Sequence, residues 1–85
     1  MPYIKQEDRK RFESFVQSME TLDIKTAGEL NYLLTTLTHR FLNQKPENYQ
    51  SYNDAVGALE GAKLELYRRH VSEYEELKRA ENGDV

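Results

Sequence analysis

The sequence contains no cysteine and no tryptophan, and only two prolines and four glycines among its 85 residues. The lack of cysteine excludes disulfides, thiolate metal sites and a cysteine nucleophile, so packing alone must hold the fold. No apolar run approaches the roughly 20 residues of a membrane-spanning helix, and the first seven residues lack the apolar stretch of a signal peptide. We therefore expect a cytoplasmic protein with no membrane segment.

A surplus of positive charge is also missing. Twelve Lys and Arg against fifteen Asp and Glu give a formal net charge of −3, whereas a general nucleic-acid binder carries a basic surface. With 38% hydrophobic residues, a chain this short builds a marginal core that self-association would supplement. The composition predicts one domain, residues 1–85, that forms a homo-oligomer and is no general nucleic-acid binder.

Glycine and proline cluster where helices would end, and no segment alternates apolar and polar residues long enough for a sheet. The pattern predicts an all-α fold, with a short N-terminal helix and then an antiparallel helical hairpin whose last helix is long. Apolar spacing places these helices at about residues 7–20, 27–42 and 52–80. The capping-box spacing at Thr26 predicts the start of the second helix, and Ser51 is the predicted cap of the third.

Two features of the third helix indicate further packing partners. The apolar pattern shifts in phase near Arg69, so Tyr74 and Leu77 after the shift need cover from the first helix, another subunit, or both. Gly57 and Gly61 lie in the helix interior, where glycine costs about 1 kcal/mol against alanine. They predict a close approach of another helix, either within the chain or from a neighbouring subunit.

Catalytic constellations are absent from the sequence. Neither His39 nor His70 has the acid three residues earlier that helical metal sites use. Glu73 and Glu76 resemble half of the magnesium site of all-α nucleotide pyrophosphohydrolases, but no second half follows at Glu60. No serine has a histidine and an acid at a recognisable spacing, and no glycine-rich loop could cradle a phosphate. We predict a non-enzyme without a metal or cofactor.

The most concentrated binding chemistry lies in the third helix, where two arginines and a tyrosine follow Lys63. Guanidinium groups bind phosphates and tyrosine rings stack on bases, so the cluster could hold an anionic nucleotide. The hairpin would bring the free amides of the second helix next to this cluster. The alternative is a solvated face on which the basic residues pair with nearby glutamates. The predicted ligand-binding residues are Tyr3, Asn31, Tyr32, Lys63, Tyr67, Arg68 and Arg69.

Short segments along the chain carry a family resemblance: Met1-Pro2-Tyr3-Ile4, Gly28-Glu29-Leu30-Asn31-Tyr32, Leu66-Tyr67-Arg68-Arg69 and Glu81-Asn82-Gly83-Asp84-Val85. In this order they resemble a family of short phage and prophage proteins of unknown function. The resemblance covers nearly the whole chain and implies the cytoplasm of a host cell as its location. A weaker similarity, by size, helicity and the Arg/Tyr/Asn cluster, is to the small helical phage sponges that sequester nucleotide immune signals between subunits.

Two functions follow from this combination. The first is an oligomeric, non-enzymatic sponge that captures an anionic nucleotide immune signal. The second is an adaptor that docks a host or phage protein through a helix face and binds no small molecule. The sponge requires the basic cluster and the second helix to form one pocket, whereas the adaptor requires only an exposed apolar face.

Overall fold

Three helical regions account for most of residues 4–84, the part of the chain that the computed structural model describes. The first region comprises α1 (Gln6–Arg9), a 3₁₀ turn (Lys10–Phe12) and α2 (Glu13–Met19). No strand occurs within residues 4–84, which confirms the predicted all-α class. The other elements are α3 (Ala27–Asn43), α4 (Tyr49–Leu66), a π-helical segment (Tyr67–Val71) and α5 (Ser72–Asn82).

The chain divides into two compact units, Met1–Leu37 and Thr38–Val85. Helix α3 begins in the first unit and ends in the second. The antiparallel packing of α3 against α4 therefore stays a prediction, as does the organisation of residues 1–85 as a single domain.

The first helical region is interrupted, although one helix over residues 7–20 was expected. Phe12 has φ −102° and ψ −2°, and the backbone N–H of Glu13 donates to the carbonyl of Lys10, three residues back. None of the residues from Gln6 to Met19 is buried. Since most helical stability in proteins comes from packing an apolar face, an unpacked segment is not held to α geometry.

Helix α3 begins at the predicted capping box. The backbone N–H of Glu29 donates to Thr26 Oγ1 at 3.1 Å, and Glu29 Oε1 accepts from the backbone N–H of Lys25 at 2.7 Å. Both bonds satisfy amides at the helix start that have no partner within the helix. The helix continues to Asn43, one residue beyond the predicted end, and stops before Pro46.

Helix α4 begins three residues earlier than expected, because its cap is Asn48 and not Ser51. Asn48 is extended, with φ −151° and ψ 171°, and its side chain accepts the backbone N–H of Ser51 at 2.9 Å. Asparagine and serine are both good caps, so their order along the chain decides which one acts. Ser51 instead lies in the first turn, where it is buried.

The π segment coincides with the predicted phase shift near Arg69. The backbone N–H of Ser72 donates to the carbonyl of Tyr67, five residues back, in place of the four-residue step of an α-helix. A π turn accommodates one additional residue and so rotates everything after it by about 100° relative to a continuous α-helix. Helix α5 ends at Asn82, and the following Gly83 has a φ of +82°, in the region that glycine adopts without strain.

Burial is sparse among the described residues. Ala55, at 5% exposure, is the one buried hydrophobic residue, and Ser51, at 7%, is the one buried polar residue. A Cβ built on Gly57 meets no heavy atom within 4 Å, and the close approach of another helix at Gly57 stays a prediction. Most of the apolar side chains expected to form the core stay exposed, among them Phe15, Leu30, Leu34, Leu37, Phe41, Val56, Leu59 and Leu66.

Candidate functional site

The predicted ligand-binding residues fall in both units of the chain. Asn31 and Tyr32 lie in the second turn of α3, within the first unit, and Lys63 to Arg69 lie in the second. Tyr3 lies outside the described residues. The joining of these groups in one pocket stays a prediction.

The α3 residues face different surroundings. Asn31 Oδ1 accepts a hydrogen bond from Thr35 Oγ1 at 3.2 Å, and Tyr32, at 69% exposure, lines a surface cavity of about 490 Å³. Carboxylates but no basic side chain border this cavity, so its charge does not suit an anion. The cavity suits an apolar ligand group that carries positive charge or hydrogen-bond donors at its edge. The complete lining is Leu22, Asp23, Ile24, Thr26, Gly28, Glu29, Tyr32 and Leu33.

The basic residues of the second unit lie on successive turns of α4 and the π segment. Lys63 Nζ lies 3.6 Å from a carboxylate oxygen of Glu60. Arg69 Nε donates to Glu65 Oε1 at 2.7 Å, and an Arg68 guanidinium nitrogen lies 3.7 Å from the other oxygen of Glu65. Each predicted cationic ligand therefore has a carboxylate neighbour three or four residues earlier.

The two arginines differ in how firmly Glu65 holds them. The short hydrogen bond to Arg69 is a charge-assisted contact of good geometry, whereas the 3.7 Å separation to Arg68 is a loose ion pair. Both side chains are more than half exposed, where such pairs contribute at most about 1 kcal/mol. An anion that binds to Arg68 would therefore sacrifice less ion-pairing energy with Glu65 than an anion that binds to Arg69.

A second concave surface lies at the turn between α3 and α4 and was not expected from the sequence. It has a volume of about 420 Å³, and the nearby Lys45 ammonium lies 5.4 Å from the centre of the Phe41 ring. The sequence feature that could have indicated this concave surface is Asn48. A capping residue at this position ends the turn between α3 and α4. The lining combines donors with one carboxylate and comprises His39, Leu42, Asn43, Lys45, Pro46, Glu47, Ser51 and Tyr52.

Within residues 4–84, no group of three or more His, Asp or Glu side chains is placed to hold a metal ion. No helix in this range is both long and apolar enough to cross a membrane. The pair Glu73 and Glu76 lies on α5, where Glu76 accepts a hydrogen bond from Arg79 at 3.0 Å.

The model of a domain of unknown function, DUF6899, matches residues 1–85. The chain belongs to the DUF6899 family. This confirms the resemblance to a family without an assigned activity, and the match covers both units of the DUF6899 chain. Neither the curated proteins nor the solved structures compared with it include a match.

Proposed function

We propose that this DUF6899 chain is a homo-oligomeric, non-enzymatic binding protein that captures a small anionic nucleotide. The observation that carries the oligomer is the exposure of large apolar side chains on α4 and α5. A chain this short builds only a marginal core, which self-association would supplement.

The exposed fractions of these side chains support association. Val56 is 65% exposed and Leu77 is 64% exposed, and no large side chain of the described residues is fully buried. Each large apolar side chain left in water costs roughly 1.5 to 3 kcal/mol relative to burial. Other copies of the chain would bury such groups on every subunit at once.

The ligand follows from the basic cluster. Arg68 is loosely paired and Tyr67 beside it is half exposed, so a guanidinium for phosphate and a ring for a base are adjacent in the sequence. A sponge of this kind needs no catalytic group, since it acts by lowering the free concentration of its ligand. A phage origin and action in the host cytoplasm belong to the same proposal.

A thermal-shift screen against cyclic dinucleotides, cyclic trinucleotides and cyclic ADP-ribose-type signals tests the ligand. A ligand at 100 times its dissociation constant adds about 2.7 kcal/mol of stability. Arg68→Ala should weaken binding of any hit at least tenfold, because truncating one partner of a desolvated charge pair costs 2 kcal/mol or more. Arg69→Ala is the matched control and should weaken binding less, since Arg69 is held by Glu65.

The adaptor is the second candidate, and the cavity bordered by Tyr32 favours it. An apolar lining from Leu22, Ile24 and Leu33 with acidic neighbours suits a side chain of a partner protein better than a nucleotide. Equal, small losses of ligand binding for the two arginine variants would contradict the proposed anion site. The absence of a response to every nucleotide would favour the adaptor.

A further inference from the structure

The concave surface at the turn between α3 and α4 belongs to a single unit of the chain. All of its lining residues fall in the unit Thr38–Val85, so that unit alone supplies its walls. Its volume of about 420 Å³ lies in the range of small-molecule sites. We call this surface the turn cavity. Its polar lining residues are His39, Asn43, Lys45, Glu47, Ser51 and Tyr52.

Ser51 brings an unpaired hydroxyl to the turn cavity. The residue is more than nine-tenths buried, at 7% exposure, and its backbone N–H is the group that Asn48 caps. The hydroxyl has no hydrogen-bond partner among residues 4–84, although every fully buried side-chain oxygen or nitrogen in this range has one. The Ser51 hydroxyl oxygen is therefore open to the cavity that it lines. A polar group in such a position gains a partner when a ligand enters.

Two opposite charges border the turn cavity without pairing. In the described part of the chain, neither the Lys45 ammonium nor the Glu47 carboxylate takes part in an ion pair. The Lys45 ammonium lies 5.4 Å from the centre of the Phe41 ring, a contact that leaves its three N–H donors available. Lys63 differs, because its ammonium lies 3.6 Å from the Glu60 carboxylate. The cavity thus presents one cation and one anion that a ligand can satisfy.

The two helices that flank the turn reinforce this separation of charge. Helix α3 ends at Asn43 with partial negative charge, and helix α4 begins at Tyr49 with partial positive charge. Ser51 lies in the first turn of α4, so an anionic group of a ligand is favoured beside its hydroxyl. A cationic group is favoured beside the last turn of α3. Each end of the cavity therefore suits a ligand charge of one sign.

We propose that the turn cavity binds a small zwitterion of the amino-acid class. The ligand carboxylate accepts a hydrogen bond from the Ser51 hydroxyl and faces the Lys45 ammonium, while the ligand ammonium faces Glu47. A simple anion would bring like charge to Glu47, and a simple cation would bring like charge to Lys45. This site does not depend on the proposed nucleotide capture, because Arg68 lies about 25 Å along the helix from Ser51.

NMR titration of the ¹⁵N-labelled full chain with each of the twenty natural amino acids tests the site. At least one amino acid should shift the amide resonances of Asn43 and Ser51 in a saturable way. The N-acetyl derivative and the methyl ester of that amino acid are matched probes, since each lacks one of the two backbone charges. Both should bind about tenfold more weakly or worse, because a hydrogen bond to a charged group is lost.

Two variants test the residues that hold the ligand. Ser51→Ala and Glu47→Gln should each weaken binding of that amino acid about tenfold or more. Glu47 is exposed, so its substitution leaves the fold intact. Glu60→Gln is the matched control, because Glu60 is also exposed but lies outside the cavity lining, and it should bind as the unmodified chain does.

Three results would overturn the zwitterion site. The first is the absence of saturable shifts with all twenty amino acids. The second is equal binding of the N-acetyl derivative or the methyl ester, which would show that one charge is not recognised. The third is undiminished binding by Ser51→Ala or Glu47→Gln.

Discussion

At the scale of single residues, Asn48 decides where α4 begins. Its side chain accepts the backbone N–H of Ser51, which was the expected cap. Asn48→Ala should lower the free energy of unfolding by about 1 kcal/mol, because an amide at the helix start loses its partner. Ser51→Ala is the control and should change stability little, since its side chain caps nothing. Urea denaturation followed by circular dichroism measures both, and a larger loss for Ser51→Ala would contradict the assignment of Asn48 as the cap.

A substitution at Gly57 should change the free energy of unfolding in the opposite direction. Its position is exposed, and a Cβ there meets no heavy atom within 4 Å. Gly57→Ala should therefore raise the free energy of unfolding by roughly 0.5 to 1 kcal/mol through helix propensity. Gly83→Ala should lower stability, because Gly83 has a φ of +82° that an alanine adopts only with strain. A loss of stability in Gly57→Ala would instead place another helix, from this chain or from a neighbouring subunit, against that position.

At the scale of elements, local signals in the sequence predicted the helices well. The capping box at Thr26 is encoded by residues close to one another in the sequence, and it is confirmed. The last helix ends at Asn82, two residues beyond the predicted end. The phase shift near Arg69 was visible as a pattern, but a π turn and a packing change produce the same pattern. The 3₁₀ turn at Phe12 had no signal, because it reflects missing tertiary contacts and not a residue preference.

The π segment compensates for the shift in the apolar pattern near Arg69. Because it takes up one additional residue, Val71 and Tyr74 return to the side of the helix that carries Leu66. Deletion of His70 should convert the segment to regular α-helix and keep these residues on that side, leaving the melting temperature unchanged or raised. Deletion of Ala62 is the control.

The Ala62 deletion falls in regular α-helix and rotates Leu66 away from Leu59 by about 100°. It should lower the free energy of unfolding of the associated chain by roughly 1.5 kcal/mol or more, because Leu66 leaves the apolar face that the proposed association would bury. Differential scanning calorimetry compares the two deletions. A greater loss on deleting His70 would show that the π turn itself is required for packing or binding.

At the scale of the whole molecule, the candidate site was less predictable than the helices. The predicted residues Asn31 and Arg68 lie in different units, and bringing them together depends on packing between elements that local patterns do not encode. The same apolar periodicity describes a side chain in an intrachain core and one on a subunit interface. Leu37 and Leu59 fit either description.

An association that completes the core makes stability depend on concentration. For a dimer that unfolds as it dissociates, a hundredfold increase in chain concentration adds about 2.7 kcal/mol per dimer. We therefore expect the melting temperature to rise by at least about 5 °C between 2 and 200 µM, given the unfolding entropy of a folded unit of this size. Leu59→Glu should both lower the melting temperature and flatten its dependence on concentration. A sharp, cooperative transition at the same temperature across this range would mean that one chain alone buries a sufficient core.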